Sequence, residues 1–464
     1  MSPKFGTSGL RGLVSELTDT LVADYTHAFL KISAPEGAVH VGRDLRESSP
    51  QIAKAVIRAI TASGLTAIDH GALPTPALAL TAMRMGQTAI MVTGSHIPAD
   101  RNGLKFYLPT GEITKCDEAK ISATLGAKPD LVANGQWEHA HNALQEYIER
   151  YVNAFGEKAL NGLRIGIYEH SSVARDALAT ILSNMGADVV RLARANHFTP
   201  VDTEAVDTQT RKLFQNWCSE HSLDALVSTD GDADRPMVVD ENGTLVTGDV
   251  LGPIVAQMLN ADTVCTPVSS NTGVDQIGFR KVVRTKIGSP FVIEAMEANS
   301  GRVVGYEANG GFILGFKAQG PCGTLDPLMT RDCLLPIIAP LAMTKQRGIS
   351  LARLVSMMPK RFTAADRIQG IPSARSQAFI TKLITDQRRR TRFFSGLAKE
   401  ASIDTTDGLR VTFEDRTIIH LRPSGNAPEF RCYAEADTTT RAELLVQKSL
   451  NLVTSHLREH LSGT

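Results

Sequence analysis

Three aspartates at alternate positions, Asp230, Asp232 and Asp234, stand in the run DGDADR at the end of an apolar stretch. Carboxylates this close repel one another unless a cation neutralises them. Oxygen-only ligands suit a hard ion, Mg²⁺ or Ca²⁺. An EF-hand loop is a poor explanation, although Glu241 falls where its last ligand would stand. Arg235 occupies the place that needs Gly, Pro236 follows, and the preceding segment reads as a strand. An Asp-x-Asp phosphatase motif on a strand end is a fairer competitor. Three protein carboxylates leave positions open on the ion, and a phosphate oxygen would fill one.

A hydroxyl that could carry that phosphate lies earlier in the chain. The apolar run Thr88 to Val92 breaks into Thr93-Gly94-Ser95-His96, and Pro98 stops the strand. Gly94 is expected to let the backbone turn tightly beside Ser95. Asn102-Gly103 reads as a second turn that returns Lys105 toward Ser95. A phosphorylated Ser95 held against Mg²⁺, with Arg235 close by, suits phosphoryl transfer, which needs positioning and charge neutralisation. His96 and Lys105 are then candidates for moving the proton of the attacking or leaving hydroxyl.

Three further loops offer groups for an anionic sugar. FGTSGLRG supplies the hydroxyls of Thr7 and Ser8 and the cation of Arg11. GYEANGG supplies a carboxylate at Glu307 and an amide at Asn309, suited to sugar hydroxyls. RPSGNAPEFR sets Arg422 and Arg431 around Ser424, Gly425 and Asn426, a good pocket for a phosphate dianion.

The elements that must position these loops alternate along the chain. Helix near Thr18–Lys31, strand at Val39–Val41, helix capped by Ser49, strand at Thr66–Asp69, helix from Pro76 and strand to Val92 form one unit. Strands at Leu163–Tyr168, Asp188–Leu192 and Ala225–Ser228, with helices Val173–Met185 and Glu204–His221, form a second. A third has helices at Val250–Leu259, Gly273–Phe279 and Phe291–Asn299 between strands Thr263–Val268, Val282–Lys286 and Arg302–Gly305. Such alternation indicates parallel sheets covered on both faces, with ligand groups at the carboxyl ends of strands. The last hundred or so residues differ. A hairpin at Leu409–Phe413 and Thr417–Leu421, a strand at Phe430–Ala436 and a helix at Thr439–His460 read as a smaller α+β domain. The basic run at Arg388, Arg389, Arg390 and Arg392 reads as a solvated helix face. The expected domains are therefore 1–150, 151–248, 249–365 and 366–464.

Composition limits what such a chain does. Its 464 residues suit several domains, and Lys+Arg and Asp+Glu are both 49, so no global field favours nucleic acid or an acidic membrane. The six cysteines show no paired spacing, which points to reduced thiols. No secretory leader and no membrane-length apolar run is present, so a cytoplasmic protein with neither a membrane nor a nucleic-acid partner is expected. Its partner would be a small phosphosugar, and it could act as a monomer or homodimer.

FGTSGLRG, TGSHIP with NGLK, DGDADR, GYEANGG and RPSGNAPEFR, in that order, resemble the α-D-phosphohexomutase superfamily, its phosphomannomutase/phosphoglucomutase branch above all. The resemblance implies a heart-shaped enzyme of three similar mixed or parallel-sheet α/β domains and a smaller C-terminal α+β domain. It implies that Ser95 carries the transferable phosphoryl group and binds Mg²⁺ with Asp230, Asp232 and Asp234. It implies that Glu307 and Asn309 read sugar hydroxyls, that the loop from Arg422 to Arg431 grips the other phosphate, and that Arg11, Arg43, Lys105 and Lys286 line the site. A hexose 1,6-bisphosphate would be both intermediate and activator. The family usually has Asn at Ile97, Ser at Asn309, His at Gly311 and Thr-Glu at Asn426-Ala427. Mannose phosphate is the first choice of substrate. The alternatives are glucose phosphate or dual specificity, then a metal-dependent sugar phosphatase or a non-catalytic phosphosugar-binding protein.

Overall fold

The computed structural model describes residues 3–126, 135–424 and 428–459. The chain divides into two compact units, Met1–Cys265 with Gly288–Met357, and Thr266–Ile287 with Met358–Thr464.

In the first unit the expected alternation builds three mixed sheets. In the first sheet, Ala38–Arg43 pairs in parallel with Thr66–Ala72 and with Thr88–Val92. Arg101–Leu108 then returns antiparallel beside Thr88–Val92, and Leu10–Leu13 lies antiparallel outside it. The second sheet repeats the plan. Arg164–His170 is flanked in parallel by Asp188–Arg194 and Ala225–Thr229, and Pro236–Asp240 returns antiparallel to the latter. In the third, Thr263–Pro267 pairs in parallel with Val303–Tyr306, which Phe312–Leu314 follows antiparallel. The central strands Thr88–Val92, Ala225–Thr229 and Val303–Tyr306 are wholly buried and mostly apolar, as strands covered on both faces must be. Each sheet therefore ends its parallel part with a hairpin, and each hairpin connection carries the polar residues: 93–100, 230–235 and 307–311.

Several local expectations change. Asn102-Gly103 is not a turn but lies inside the strand Arg101–Leu108. A Cβ on Gly103 would stand 2.0 Å from the Leu10 carbonyl oxygen, so glycine serves close strand approach. The Ser49 side chain does not cap its helix. Ser49 is the first residue of the helix Ser49–Ala62, and its hydroxyl donates to Asp44 at 2.5 Å.

The second unit carries the strand Lys281–Thr285 and a five-stranded antiparallel sheet from Phe362–Gln369 to Glu400–Asp404. Helices Ser373–Thr385 and Thr439–Glu459 accompany the sheet, with a core that includes Phe393, Phe430, Leu421 and Val453. The expected helix over Gly273–Phe279 is a short 3₁₀ turn, Thr272–Gln276, closed soon afterwards by Gly278 at φ 92°. The basic run is not a uniformly solvated face. Arg390 is buried, forks onto Glu400 at 2.7 and 2.8 Å and donates to the carbonyls of Leu383 and Ile384. No helix among the described residues is long and apolar enough to cross a membrane.

Candidate active site

The DGDADR connection is closed by its own atoms. Asp230 N–H donates to the Arg235 carbonyl at 3.1 Å, and Asp230 Oδ1 accepts from the Asp234 and Arg235 amides at 3.2 and 3.3 Å. Ala233 takes the left-handed conformation, φ 60°, to complete the turn. All three aspartates are buried, and one oxygen of each lies within 4.8 Å of the others.

Their remaining oxygens are sharply divided between occupied and empty. Lys105 Nζ donates to Asp232 Oδ2 at 2.6 Å and to Asp234 Oδ2 at 2.5 Å, and Thr75 donates to Asp232 Oδ2 at 2.6 Å. Ser95 Oγ donates to Asp230 Oδ2 at 2.6 Å. Asp232 Oδ1 and Asp234 Oδ1 are buried with no hydrogen-bond partner among the described residues. A buried carboxylate oxygen left without a donor is costly, and a cation is the partner that resolves it. The donor set is all oxygen and fits a hard divalent ion. Burial, then the charges of Asp232 and Asp234, push Asp230 well above the usual carboxylate range. Burial would raise Asp234 too, but Arg331, Lys105 and Arg235 outweigh it and hold the carboxyl low. Burial also works against the Lys105 charge, yet Asp232 and Asp234 keep the ammonium above its ordinary range.

The Ser95 connection is held from outside. Arg46 Nη1 donates to the carbonyls of Pro98 and Arg101 at 2.7 and 2.9 Å, and Nη2 to those of Ser95 and Ile97 at 2.9 and 2.6 Å. Its Nε pairs with Asp44 at 3.1 Å, and the guanidinium lies 3.9 Å over the Phe198 ring. Gly94 serves this clamp and not a positive φ. A Cβ there would stand 2.7 to 2.9 Å from the guanidinium, and the left-handed residue is Ser95, φ 54°. Ile97, unusual for the resemblance, contributes its backbone carbonyl. His96 Nδ1 is 3.2 Å from Ser95 Oγ. Burial, then Arg235 and Arg11, push the imidazole pKa well below its ordinary value, so the ring is neutral.

Around this centre Arg235 is buried, 3.8 Å from Asp234 and 4.0 Å from Asp230. Arg11 lies on the strand Leu10–Leu13, and burial with the charges of Arg235 and Arg331 lowers its pKa to about 10. Ser8 is buried and donates to Glu112 at 2.5 Å, while Thr7 is half-buried. Arg43 ends the strand Ala38–Arg43 and donates to the Asp44 carbonyl at 3.4 Å. Glu307 and Asn309 are buried in the third hairpin connection, where Asn309 Oδ1 accepts from Gly311 N–H at 2.9 Å. Two participants escape the sequence reading. Arg46 has no local motif, and neither has Arg331, which donates to Asp234 at 2.6 Å and to Glu307 at 3.0 Å. The spacing D-x-R in GRDLR was the only available sign of the first.

In the second unit Arg422 and Arg431 are opposite one another on paired antiparallel strands. Arg422 lies 3.4 Å from Asp407, which also accepts from the Ile287 amide beside the exposed Lys286. Arg431 donates to Glu429 at 3.3 Å. Ser424 is buried, with its amide donating to the Glu429 carbonyl at 2.9 Å. Gly425 and Asn426 lie outside the described residues.

Family models for phosphoglucomutase/phosphomannomutase match in order: α/β/α domain I over residues 2–130, domain II over 145–243, domain III over 247–362 and the C-terminal domain over 377–451. A phosphomannomutase of Sinorhizobium fredii is 46% identical, with 98% of this chain and 100% of the relative covered. A phosphomannomutase of Salmonella muenchen is 44% identical, covering 98% and 96%. The fold also matches the crystal structure of a putative phosphomannomutase from Thermus thermophilus, with TM-score 0.77, 22% identity and 98% and 100% of the two chains covered. Four ordered domain models and full-length identity to these relatives make the chain a member of the phosphoglucomutase/phosphomannomutase family of phosphohexomutases.

Proposed function

We propose that the protein interconverts mannose 6-phosphate and mannose 1-phosphate, with Ser95 as the phosphoryl carrier and a hexose 1,6-bisphosphate as intermediate. The carrying observation is the contact of Ser95 Oγ with Asp230, 2.6 Å, inside a buried triad in which Asp232 Oδ1 and Asp234 Oδ1 have no hydrogen-bond partner among the described residues. The mannose preference rests on the phosphomannomutases at 46% and 44% identity. The domains follow the boundaries 1–150, 151–248, 249–365 and 366–464.

Asp230, Asp232 and Asp234, with the phosphorylated Ser95, would hold Mg²⁺, which when bound supplies charge neutralisation to the transferring phosphoryl group. The phosphoryl group leaves Ser95 Oγ for the free hydroxyl of the hexose monophosphate, and the proton of that hydroxyl ends on Ser95 Oγ as the serine O–P bond breaks. The bisphosphate turns over, its other phosphate returns to Ser95 Oγ, and the isomer leaves. Arg46 fixes the carbonyls on both sides of the loop, so the hydroxyl is aimed before substrate arrives. Lys105, buried and doubly paired, acts as a fixed positive charge more than as a proton carrier. The neutral His96 accepts from or donates to Ser95 without carrying charge. Arg235 and Arg11 neutralise phosphate charge, Glu307 and Asn309 read hydroxyls, and Thr7, Ser8 and Arg43 line the approach. In the second unit Arg422, Ser424 and Arg431, with Lys286, grip the non-reacting phosphate.

The test is steady-state turnover of mannose 1-phosphate, glucose 1-phosphate and glucosamine 1-phosphate with Mg²⁺ and a bisphosphate activator. Isomer formation that disappears in Ser95→Ala and with chelator is expected, with the highest kcat/KM for mannose. Release of free phosphate in place of isomer formation would move the protein to the phosphatase reading.

A further inference from the structure

Arg331 lies on the strand Leu328–Asp332, and its neighbour Asp332 receives the hydroxyls of Tyr147 and Tyr151 and caps the helix Leu334–Arg347. The strand end is therefore anchored to two helices, and the Arg331 side chain runs back from it beneath the Glu307–Gly311 connection. The side chain is 3% exposed. It donates Nη1 to Glu307 Oε2 at 3.0 Å, Nε and Nη2 to Asp234 Oδ2 at 3.1 and 2.6 Å, and Nη2 to Ser8 Oγ at 3.4 Å. Residue 311 decides whether that path exists. A Cβ on Gly311 would stand 2.7, 2.9 and 3.1 Å from Arg331 Cδ, Cγ and Cβ. Those are the atoms nearest the anchored strand, the least free to move aside.

We propose that Arg331 is the positioning residue that sets the Glu307 carboxylate for the sugar, and that Gly311 is glycine in order to admit it. The inference rests on the mutase reading of Glu307 as the group that binds sugar hydroxyls. The two carboxylates depend on Arg331 unequally. Asp234 keeps Lys105 at 2.5 Å when Arg331 is removed. Among the described residues Glu307 keeps only the Asn309 amide, at a long 3.4 Å. Loss of Arg331 therefore falls on recognition of the sugar ring before it falls on the phosphoryl centre. The absence of a side chain at 311 and the presence of a long cation at 331 become one device.

Arg331→Met, Arg331→Lys, Gly311→Ala and the double variant Gly311→Ala/Arg331→Met test this with mannose 1-phosphate. Arg331→Met is expected to raise KM about tenfold or more, the size expected for a lost charge-assisted hydrogen bond, while kcat falls less than about threefold. The Mg²⁺ concentration for half-maximal rate should change less than KM for the sugar, because Lys105 and Arg235 still face Asp234. Arg331→Lys, which keeps the charge but not the fork, should recover part of the loss. Gly311→Ala should reproduce the KM change, and the double variant should be no worse than Arg331→Met, because both remove one interaction. An unchanged KM, a loss confined to kcat, or additive effects of the two single changes would overturn the proposal. Should Arg331→Met not fold, Gly311→Ala and Arg331→Lys carry the same readings. Calorimetric binding of mannose 1-phosphate to each variant in a Ser95→Ala background reads the sugar step without turnover. An inactive wild type would sink the mutase reading, whereas unchanged affinity in those backgrounds would sink only the role of Arg331.

Discussion

The connections 93–100 and 230–235 occupy the same place in successive sheets, yet they are stabilised in opposite ways. Both leave the end of a buried parallel strand, and both set a non-glycine residue in the left-handed region, Ser95 at φ 54° and Ala233 at φ 60°. Such residues each cost about 1 kcal/mol or more and persist only where the surroundings over-determine them. In the aspartate loop the surroundings are chiefly the loop itself, since Asp230 receives two of its own amides and closes onto Arg235, while the amides of Thr75 and Val173 add one bond each to the carbonyls of Asp232 and Gly231. In the serine loop they are a remote guanidinium, with Arg46 binding four carbonyls within 93–101. A self-closed loop can spare side-chain oxygens for a ligand. A loop clamped from outside leaves its hydroxyl free to move a phosphoryl group without reshaping its own backbone.

The contrast breaks most sharply at Asp230. In Asp230→Asn the Oδ1 acceptor survives, so the two amides stay bonded and the turn persists. The negative charge is gone, and turnover is expected to fall about 100- to 1000-fold. Stability should move the other way. Burial and its neighbours disfavour the Asp230 carboxylate, so in chelator the variant should unfold at or above the wild-type temperature. Added Mg²⁺ should raise the wild-type unfolding temperature but not that of the variant. Thermal scans with and without the ion, beside the assay, check both halves. A variant less stable than wild type in chelator would mean that the loop needs the charge to close.

Arg46→Met should lower activity and stability together. It takes the guanidinium donor from four carbonyls and leaves the buried Asp44 without its charge partner, although the Ser49 and Thr93 hydroxyls still reach that carboxylate. The loss is about 3–5 kcal/mol, of the kind seen when one partner of a buried pair is removed. A serine hydroxyl displaced by about 1 Å loses about 100-fold in turnover. Gly94→Ala probes the same clamp more gently. Its Cβ would press on three atoms of the guanidinium from 2.7 to 2.9 Å. Overpacking of about 1–3 kcal/mol and a loss of about tenfold are expected. Denaturant midpoints and kcat, measured on both variants and their double, should show that the two changes do not add.

That difference in construction also explains what could be read from the chain. The aspartate loop was legible because the groups that close it and the groups that bind are the same contiguous residues. The alternation of strands and helices was legible for a similar reason, since apolar runs such as Thr88–Val92 record their own burial. The serine loop was legible as a hydroxyl on a strand end, but its cause was not. Gly94 suggests backbone freedom yet serves as space for Arg46, because a glycine records the absence of a side chain without recording what fills the gap. Gly311 and Arg331, twenty residues apart, conceal the same relation. Asn102-Gly103 favours a turn by local propensity, and pairing with the strand Leu10–Leu13 beside it overrides that preference. Arg390 read as solvated because its partner Glu400 lies on the next element.

The smallest effect sharpens the comparison at the serine itself. His96 is the one titratable neighbour of Ser95 on the same loop, 3.2 Å away, and by position it could be taken for a general base. Burial and the charges of Arg235 and Arg11 hold its pKa well below 6.5. The sign follows. As the pH falls through 6.5 the unfolded chain takes the proton and the folded chain does not, so His96 costs stability toward acid. His96→Asn should flatten that part of the stability curve. It should also reduce turnover less than about tenfold and leave the acid limb of the kcat profile in place. A group that transfers the proton would cost about 100-fold or more and carry the limb away with it. A loop clamped from outside, with a neutral ring and a hydroxyl touching Asp230, has its charge supplied wholly by the neighbouring loops. The pH profile of His96→Asn is where that division of labour is most exposed to disproof.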